Sequence, residues 1–412
     1  MSTNSLGGIR VLDFGTAWAG PMAAHILADM GAEVIKVESR THIDGARLGR
    51  PIVGDDIDGG DKGKWVDMQP QFHGLNRNKY SITVNLKHPE GMALIKELIK
   101  KSDVVLDNSS PGVMKRLGLD YESLKKIKPD IITISLSGLG GYGPFSDALV
   151  YAPIITAICG LVSLIGYYGE PVLGAQTSSY GDCNASIHGV FATLAALYYR
   201  KKTGEGQHID LAETEVGSSV LGETIMDYTM NRRVAKPQGN NHPSMAPHNN
   251  YRCKGDDKWI SIAVKTEEEW INFCQAIGSP TWTKEKRFAD TFSRLHNREE
   301  LDSFVTEWTI NHTPYEAMEI LQEAGVAAVP VMNVEDQYFD PHFKERQTFI
   351  EVNHPLVGLE VLYGFPFKLS KTPGAIHRVC PSLGEHNNYV FGELLGLSQD
   401  EIDRLARDKV LE

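Results

Sequence analysis

Short β-branched runs alternate with helical patterns along the first half of the chain, and this alternation constrains the fold more than any other feature. Strands are predicted at 9–14, 33–38, 103–106, 131–135 and near Ile209. Helices are predicted at 21–30, 89–101, 121–127 and 184–200. Strands that alternate with helices favour a parallel, right-handed, doubly wound sheet, so we expect an α/β protein with a Rossmann-like large domain.

The second half opens with a loop, 236–250, that is rich in Pro, Gly, Asn and His and predicts a domain linker. Beyond it, strands are predicted at 259–264 and 327–332, and helices at 267–277, 299–309 and 314–323. This pattern predicts a smaller α+β domain. The tail from residue 341 ends in a predicted amphipathic helix, 399–405.

Composition excludes several classes of protein. The 412 residues suffice for two or three domains with large cores. A total of 41 Lys and Arg against 53 Asp and Glu gives a net charge of −12, which offers nucleic acid no general attraction. The five cysteines form no CxxC pair, so we expect neither disulfides nor a metal site. With no secretory signal at the first residues, we expect a cytoplasmic protein.

One uncharged segment, 148–168, reaches the length of a membrane span. Pro153, Gly160 and Gly166 interrupt it, and no basic cluster flanks it to set an orientation. We therefore expect a buried core segment and no association with a membrane.

The sequence lacks the common motifs of dinucleotide and ATP sites and of hydrolases. Gly15 and Gly20 follow the first predicted strand without the GxGxxG spacing of a dinucleotide site, and the glycine cluster at 138–143 is typical of a flexible turn. The sequence contains no GxxxxGK[ST], HExxH or GxSxG. Nicotinamide, ATP, metallohydrolase and serine hydrolase chemistry are therefore disfavoured.

Asp182 follows a glycine just before the predicted helix at 184–200. On spacing alone it is typical of a helix N-cap, whose side chain accepts a hydrogen bond from the first turn. A reactive carboxylate is the alternative. Its neighbour Cys183 has no identified histidine partner and is typical of a small packed residue.

Several segments resemble one known family, the family III CoA-transferases, which contains the formyl-CoA and carnitine CoA-transferases. The resemblance covers the chain nearly from end to end. The segments that carry it are GIRVLD at 8–13, 19–21, LADMGAEVIKVE at 27–38, 78–87, 111–118, 181–182, RKKTGEGQ at 200–207, 330–331, 366–368 and 384–386.

The resemblance implies that Asp182 is a nucleophile. A carboxyl group with an ordinary pKa of about 3.9 is ionised at neutral pH and attacks a thioester without a general base. Attack on the donor acyl-CoA would give a mixed anhydride and CoA thiolate, which would then form an aspartyl-CoA thioester. The acceptor acid would reverse these steps. Backbone N–H groups beside Gly181 or in the loop at Gly239 would stabilise the oxyanions.

The same resemblance implies which residues contact coenzyme A, which enters as a substrate thioester. They are Trp18, Ala19, Arg40, Val84, Asn85, Leu86, Lys87, Asn108, Ser109, Ser110, Arg116, Leu149, Val150, Tyr151 and Ala152. Ser39 stands where the family has an arginine near the phosphates, so Arg40 or Arg47 is expected to supply that charge. The loop Gly239, Asn240, Asn241 and His242 resembles a mobile loop that closes over the active site, and an ordinary linker is the alternative.

An interlocked-ring dimer is also implied, formed by two copies of the chain or with a paralogous subunit. The expected divisions are a large CoA-binding domain at 1–205, a linker with the active-site loop at 206–247, a small α+β domain at 248–335 and a C-terminal segment at 336–412 that returns to the large domain.

Overall similarity favours succinyl-CoA as donor and an aryl-dicarboxylate such as benzylsuccinate as acceptor. The candidates for an apolar acyl pocket are Trp18, Tyr151, Tyr167, Tyr168 and Tyr180. The candidates for binding a second carboxylate are Arg47, Arg50, Asn241 and His242.

Two other functions are alternatives. An α-methylacyl-CoA racemase would need a His-Asp pair near Leu149, but no histidine lies between His88 and His188. An inactive companion subunit of a heteromeric transferase is disfavoured by the intact Gly181 and Asp182.

Overall fold

The computed structural model of the chain describes residues 4–49, 62–174 and 180–412. Contacts divide them into two compact units. The first contains the described residues of Met1–Leu161, Ala175–Met226 and Glu345–Glu412, and the second contains Val162–Gly174 and Asp227–Lys344. Residues 162–174, 227–247 and 336–344 thus belong to the second unit by their contacts, whereas the predicted division places them outside the small domain. The roles predicted for the four segments stay a prediction.

Six parallel strands form the sheet of the first unit, in the spatial order β3-β2-β1-β4-β5-β6. They are β1 (Arg10–Asp13), β2 (Glu33–Glu38), β3 (Lys79–Thr83), β4 (Val104–Asp107), β5 (Ile132–Ser137) and β6 (His208–Ala212). This order is that of a doubly wound, Rossmann-like sheet, which confirms the predicted fold class.

Helices connect the strands and cover both faces of this sheet. The helices of the first unit are, in chain order, α1 (Ala19–Asp29), α2 (Pro70–Asn76), α3 (Pro89–Lys100), α4 (Val113–Leu117), α5 (Tyr121–Lys125), α6 (Ala152–Ile158), α7 (Tyr180–Thr203) and α8 (Glu213–Ser219). They are followed by α9 (Gly222–Asn231), whose residues are divided between the two units. Short 3₁₀ turns lie at Gly45–Arg47, Lys62–Asp67 and Leu161–Leu164.

The alternation of side chains along β1 shows how the core is divided. Val11 packs in an apolar cluster with residues of α1 and α7, whereas the next residue, Leu12, packs in a second cluster with residues of α3 and of the last helix. Both are fully buried. Because successive strand residues point to opposite faces, the sheet is covered on both sides, as a parallel sheet requires.

The second unit is built on an antiparallel three-stranded sheet, β7 (His248–Arg252), β8 (Trp259–Ala263) and β9 (Ala327–Pro330), which agrees with the predicted α+β composition. Capping boxes at Thr266 and Thr313 begin two of its helices. The helices from residue 267 to 345 are α10 (Glu267–Ala276), α11 (Thr291–His296), α12 (Arg298–Thr309), α13 (Pro314–Glu323), α14 (Val334–Phe339) and α15 (Pro341–Glu345), with 3₁₀ turns at Thr281–Lys284 and Lys286–Phe288.

The C-terminal residues pack on the large sheet of the first unit. A hairpin, β10 (Phe349–His354) and β11 (Gly358–Tyr363), is followed by a π-helical segment, Asn388–Leu394, and by α16 (Gln399–Arg407). The N–H of Asn85, just after β3, donates to the carbonyl of Val410 at 2.9 Å. The last residues of the chain therefore lie at the carboxyl end of β3.

The uncharged segment 148–168 differs from its prediction as a buried core segment. Leu149 and Tyr151 are 82% and 77% exposed in this chain, and only a few residues, such as Ile155, are buried. Pro153 lies in the first turn of the short helix α6, and Gly160, two residues after its end, adopts a left-handed conformation, so the segment forms no continuous core element. Among the described residues, no helix has the length and apolar character needed to cross a membrane.

A network of buried charges joins the carboxyl ends of the first strands. The ammonium of Lys36 on β2 lies 2.9 Å from the carboxylate of Asp44 and donates to the carbonyl of Gly15 at 2.7 Å. The same Asp44 accepts the N–H of Ala17, which has a φ of 62°. Lys79 on β3 bonds Asp13 at the end of β1 at 2.7 Å. This network holds Ala17, in the loop after β1, in a left-handed backbone conformation that residues other than glycine rarely adopt.

Replacing Asp44 by Asn is predicted to destabilise the chain strongly, because Lys36 would then be a buried charge without its carboxylate partner. The free energy of unfolding should fall by on the order of 3 kcal/mol, measured by urea unfolding. Glu90→Gln is the control, because it breaks an exposed ion pair with Arg404. Equal effects of the two substitutions would contradict the importance of the buried network.

Candidate active site

The loops that follow the six parallel strands all lie at one edge of the large sheet. The strand order changes direction between β1 and β4, so the loops after these two strands flank the point where open α/β sheets bind their ligands. The described loops and residues at this edge are 14–18, 39–44, 84–88, 108–112, 138–151 and 213. Most of the predicted CoA contacts belong to these loops.

Two hydrogen bonds fasten the loop after β1 to the end of β4. The N–H of Thr16 donates to the side-chain oxygen of Asn108 at 2.8 Å, and the Asn108 amide donates to the carbonyl of Thr16 at 2.9 Å. A Cβ added to Gly20 would lie 2.8 Å from the Cα of Gly15, so the start of α1 and the loop touch backbone to backbone. Trp18 and Ala19 are therefore held rigidly beside Asn108.

Asp182 lies in the first turn of α7, which is described from Tyr180. Its interpretation as an N-cap residue is wrong, because the helix includes it and begins before the predicted start at residue 184. The hydroxyl of buried Ser186 lies 2.6 Å from the carbonyl oxygen of Asp182 and 2.9 Å from that of Ala19. This bond brings the start of α7 to the start of α1.

The Asp182 carboxyl is partly desolvated. Its Oδ2 atom is buried and has no hydrogen-bond partner among the described residues. Burial raises the pKa of Asp182 to about 6, against a smaller lowering by its own backbone N–H. At pH 7 the group is still mostly ionised, and its position in the first turn of a helix favours a negative charge. It is therefore a poorly solvated carboxylate, which suits a nucleophile.

Glu213 is a second buried carboxyl group, and sequence reasoning missed it. It is the first residue of α8, directly after β6, and its Oε2 is buried without a partner among the described residues. Burial, and after it the charge of Asp182, raise the pKa of Glu213 to about 8. The structure thus brings two carboxyl groups together whose pKa values are set apart, an arrangement typical of active sites.

Cys183 has the properties of a packed thiol. Burial raises its pKa, the Trp18 indole lowers it by less, and the charge of Asp182 raises it further. A neutral thiol is a poor nucleophile, so its neighbour Asp182 remains the reactive candidate.

The predicted CoA contacts differ in exposure. Ala19 and Val84 are buried, and Trp18, Asn85, Leu86, Asn108, Ser109, Val150 and Ala152 are half-buried. Those exposed to solvent are Arg40, Lys87, Ser110, Arg116, Leu149 and Tyr151. Three exposed cations, Arg40, Lys87 and Arg116, therefore follow β2, β3 and β4 and could neutralise phosphates.

Arg47 is not available for phosphate or carboxylate binding, so both roles predicted for it are wrong. Its fully buried guanidinium binds Glu38 at 2.9 Å and Asp67 at 2.7 Å, and it lies 3.5 Å above the ring of Phe72. The N–H groups of the Arg47 guanidinium are thus already bonded to carboxylates of the chain itself. Arg50, the other arginine proposed for a second carboxylate, lies outside the described residues.

Ser39 is bound to the end of the chain. Its hydroxyl donates to the side-chain carboxylate of Glu412 at 2.5 Å. Ser39, which stands where the family has an arginine, is therefore bonded to a carboxylate, and the neighbouring exposed Arg40 is left as the candidate cation at this corner of the sheet.

The loop Gly239, Asn240, Asn241 and His242 lies in the second unit, whereas Asp182 lies in the first. The N–H of Gly239 donates to the carbonyl of Gly166 at 2.9 Å, and that of Asn241 to Gln238 at 3.1 Å. Backbone carbonyls of the second unit already accept these two N–H groups, so the expectation that they form an oxyanion site does not fit this conformation. The ring of His242 lies beside that of His248, tilted by 38° and with ring centres 5.1 Å apart.

The aromatic residues expected in an acyl pocket are divided between the two units. Trp18, Tyr151 and Tyr180 belong to the first unit, and Tyr167 and Tyr168 to the second. A cavity of about 670 Å³ in the first unit is lined instead by residues of α1, α7 and the segment after β11, such as Met22, Phe191 and Phe367. Among the described residues, no group of three or more His, Cys, Asp and Glu side chains is placed to hold a metal ion.

Comparison with known proteins identifies the family. The model of CoA-transferase family III matches residues 6–387. The chain belongs to CoA-transferase family III. A succinyl-CoA–D-citramalate CoA-transferase of Chloroflexus aurantiacus is 33% identical, with 98% of each chain covered. The beta subunit of a succinyl-CoA–L-malate CoA-transferase from the same organism is 33% identical over 100% of this chain and 99% of its own.

A solved structure agrees with this result. A crystal structure of a CAIB/BAIF family protein from Brucella suis has a TM-score of 0.84 and 30% identity to this family III CoA-transferase, and covers 95% of this chain and 100% of its own. The resemblance drawn from the sequence segments is therefore confirmed, and the enzyme is a CoA-transferase that acts on CoA thioesters.

Asp182→Asn is predicted to stabilise the chain at neutral pH. Folding raises the pKa of Asp182 from about 3.9 in the unfolded chain to about 6, so the native state loses stability as the pH rises from about 4 through 6. The neutral amide avoids this loss. Thermal unfolding should show a higher Tm for the variant than for the wild type at pH 7.5, and a smaller difference at pH 4.5. An equal difference at both pH values would contradict the raised pKa.

Proposed function

We propose that this family III CoA-transferase moves CoA from succinyl-CoA to a carboxylic acid through covalent intermediates on Asp182. The observation that carries the proposal is the buried Oδ2 of Asp182 in the first turn of α7, which has no hydrogen-bond partner in the described part of the chain. A carboxylate that is poorly solvated and still ionised at neutral pH needs no base to attack a thioester.

The proposed cycle conserves the energy of the thioester. Asp182 attacks the acyl carbon of succinyl-CoA and expels CoA thiolate, which leaves a mixed anhydride. The thiolate then attacks the aspartyl carbonyl and releases succinate, which leaves an aspartyl-CoA thioester. The acceptor carboxylate repeats both steps in reverse order. The N–H groups beside Gly181, in the first turn of α7, are proposed to stabilise the oxyanions.

We propose that CoA lies along the carboxyl edge of the large sheet, on the residues that the family resemblance implied. Support comes from their position in the loops after β1 to β5 and from the exposed cations Arg40, Lys87 and Arg116. Trp18 and Ala19 would then lie between the nucleotide and Asp182, since Ser186 joins the starts of α1 and α7. The loop at Gly239 is proposed to close over the bound acyl group.

We also propose an interlocked dimer, either of two copies or with a paralogous subunit. The face of α7 beyond Asp182 supports it, because Ile187, Phe191 and Tyr198 are more than half exposed in the single chain. Exposed apolar side chains at helical spacing along one helix are typical of an interface.

An aryl-dicarboxylate such as benzylsuccinate is the proposed acceptor. The aromatic side chains of Trp18, Tyr151 and Tyr180, on the elements that lead into or face the start of α7, support an aryl group. The proposal for the acceptor is independent of the proposal for Asp182.

Removing the nucleophile is predicted to abolish transfer. Asp182→Asn and Asp182→Ala should reduce kcat for succinate release by at least about 10³-fold, because no anhydride forms. The assay follows formation of the new acyl-CoA by chromatography. Asp403→Asn, an exposed change on α16, should leave the rate unchanged. Near-normal turnover by the Asn variant, with deamidation excluded by mass, would refute the role of Asp182.

The acceptor is tested by a panel of acids with succinyl-CoA as donor. We expect kcat/KM for benzylsuccinate to exceed that for formate, carnitine, malate and citramalate by at least about tenfold, which is about 1.4 kcal/mol of transition-state binding. A preference for any of the aliphatic acids would refute the aryl acceptor while leaving CoA transfer intact.

A further inference from the structure

Glu213 is a buried carboxyl group to which the cycle above assigns no role. It is 5% exposed, and its Oε2 has no hydrogen-bond partner among the described residues. An ionised carboxylate that is buried without a donor is costly, whereas a protonated one is itself a donor. Glu213 therefore has the properties of a protonated carboxyl group whose O–H is available to donate a hydrogen bond to a bound substrate.

The backbone around Glu213 fixes its position. Ala212, the residue before it, pairs with Ser137 at the end of β5, and the N–H of Thr214 donates to the carbonyl of Gly138 at 3.0 Å. The backbone of Glu213 is thus anchored on both sides at the carboxyl edge of the sheet, where the reacting groups are expected.

Helix α6 brings Glu213 and Asp182 together. A Cβ added to Gly181 would lie 3.4 Å from Ile155, and one added to Gly217 would lie 2.8 Å from the sulfur of Cys159. The start of α7 and helix α8 therefore both pack closely on α6. Each carries a carboxyl group with one buried oxygen that has no partner among the described residues.

Asp182 is the charged group that acts on Glu213. Helix α6 has no titratable side chain, and the histidine and aspartate of β6 are bonded elsewhere, to Thr133 and to the N–H of Gly141. The titratable groups on the elements packed around Glu213 are Cys159 directly after α6, Tyr180, Asp182, Cys183 and His188 on the first half of α7, His208 and Asp210 on β6, and Glu215 on α8 itself.

We propose that Glu213 is a catalytic residue which, as a neutral acid, donates a hydrogen bond to the acyl oxygen of the thioester or anhydride at Asp182. This inference rests on the proposed function. As the Asp182 oxygen bonds to the acyl carbon, an electron pair moves onto the acyl oxygen, and the O–H of Glu213 stabilises that charge. When the pair returns, the C–S bond breaks and CoA thiolate leaves. The proton stays on Glu213 throughout, so no proton is gained or lost.

The pH dependence of kcat/KM for succinyl-CoA tests this role. Two interacting carboxyl groups should give the wild type a bell-shaped profile, with apparent pKa values near 6 and 8. Above the second value the rate should fall about tenfold per pH unit, because ionised Glu213 donates no bond and repels the oxyanion. A wild-type rate that stays flat from pH 7 to 9.5 would overturn the inference.

Variants separate this role from a structural one. Glu213→Gln keeps an N–H donor and cannot ionise, so it should retain activity at pH 7 within about fivefold and lose the alkaline limb. Glu213→Ala lacks a donor and should be slower by about 10²-fold at pH 7. Glu215→Gln, an exposed change on the same helix, should keep the wild-type profile. Thermal unfolding of each variant checks that it is folded.

Two results would overturn the role of Glu213 alone: an alkaline limb near pH 8 that persists in Glu213→Gln, or equal rates for Glu213→Ala and Glu213→Gln at pH 7. Absence of transfer by the wild type at every pH would overturn the proposed function and this inference with it, so the two failures are distinguishable.

Discussion

The ion pair between Lys36 and Asp44 sets the geometry at the carboxyl edge of the large sheet. Lys36 also donates to the carbonyl of Gly15, and Asp44 also accepts the N–H of Ala17. One buried ion pair therefore makes two hydrogen bonds to the loop after β1. Buried pairs of this kind contribute little net stability but fix one arrangement, because breaking them leaves a bare charge. The start of α1, and through Ser186 the start of α7, depend on that arrangement.

The charge of Asp182, the proposed nucleophile, is the result of two opposing effects. Partial burial of Asp182 raises its pKa to about 6, which costs stability at neutral pH and removes solvent that would weaken the nucleophile. The first turn of α7 favours the same charge, so the group remains ionised. Under the proposal for Glu213, the site contains two carboxyl groups with different roles. Asp182 is ionised and acts as the nucleophile, and Glu213 is protonated and acts as the hydrogen-bond donor, because their surroundings differ.

The fold was largely predictable, and the misses have physical reasons. The strand at 33–38 and the helix at 314–323 have the predicted bounds, because β-branched content and a proline after a capping threonine mark them directly. Strand β3 was missed because it begins with Lys79, whose burial depends on Asp13, a distant partner that local patterns do not reveal. Glu213 was also missed because its burial depends on the tertiary structure and is not visible in the local sequence pattern. It shares its helix with exposed Glu215, and only the tertiary structure shows which of the two is buried. The sequence identified Asp182 through family resemblance, since its local pattern favoured a cap.

Chemical trapping of the enzyme during turnover tests the covalent account most directly. Hydroxylamine added to the enzyme with succinyl-CoA should convert an aspartyl anhydride or thioester into a hydroxamate. Peptide mass spectrometry should then find that modification on Asp182, and only when the acyl-CoA is present. The Asp182→Asn variant should remain unmodified. An unmodified Asp182 in an enzyme that is turning over and is sensitive to hydroxylamine, or a hydroxamate at another carboxyl group, would contradict the account.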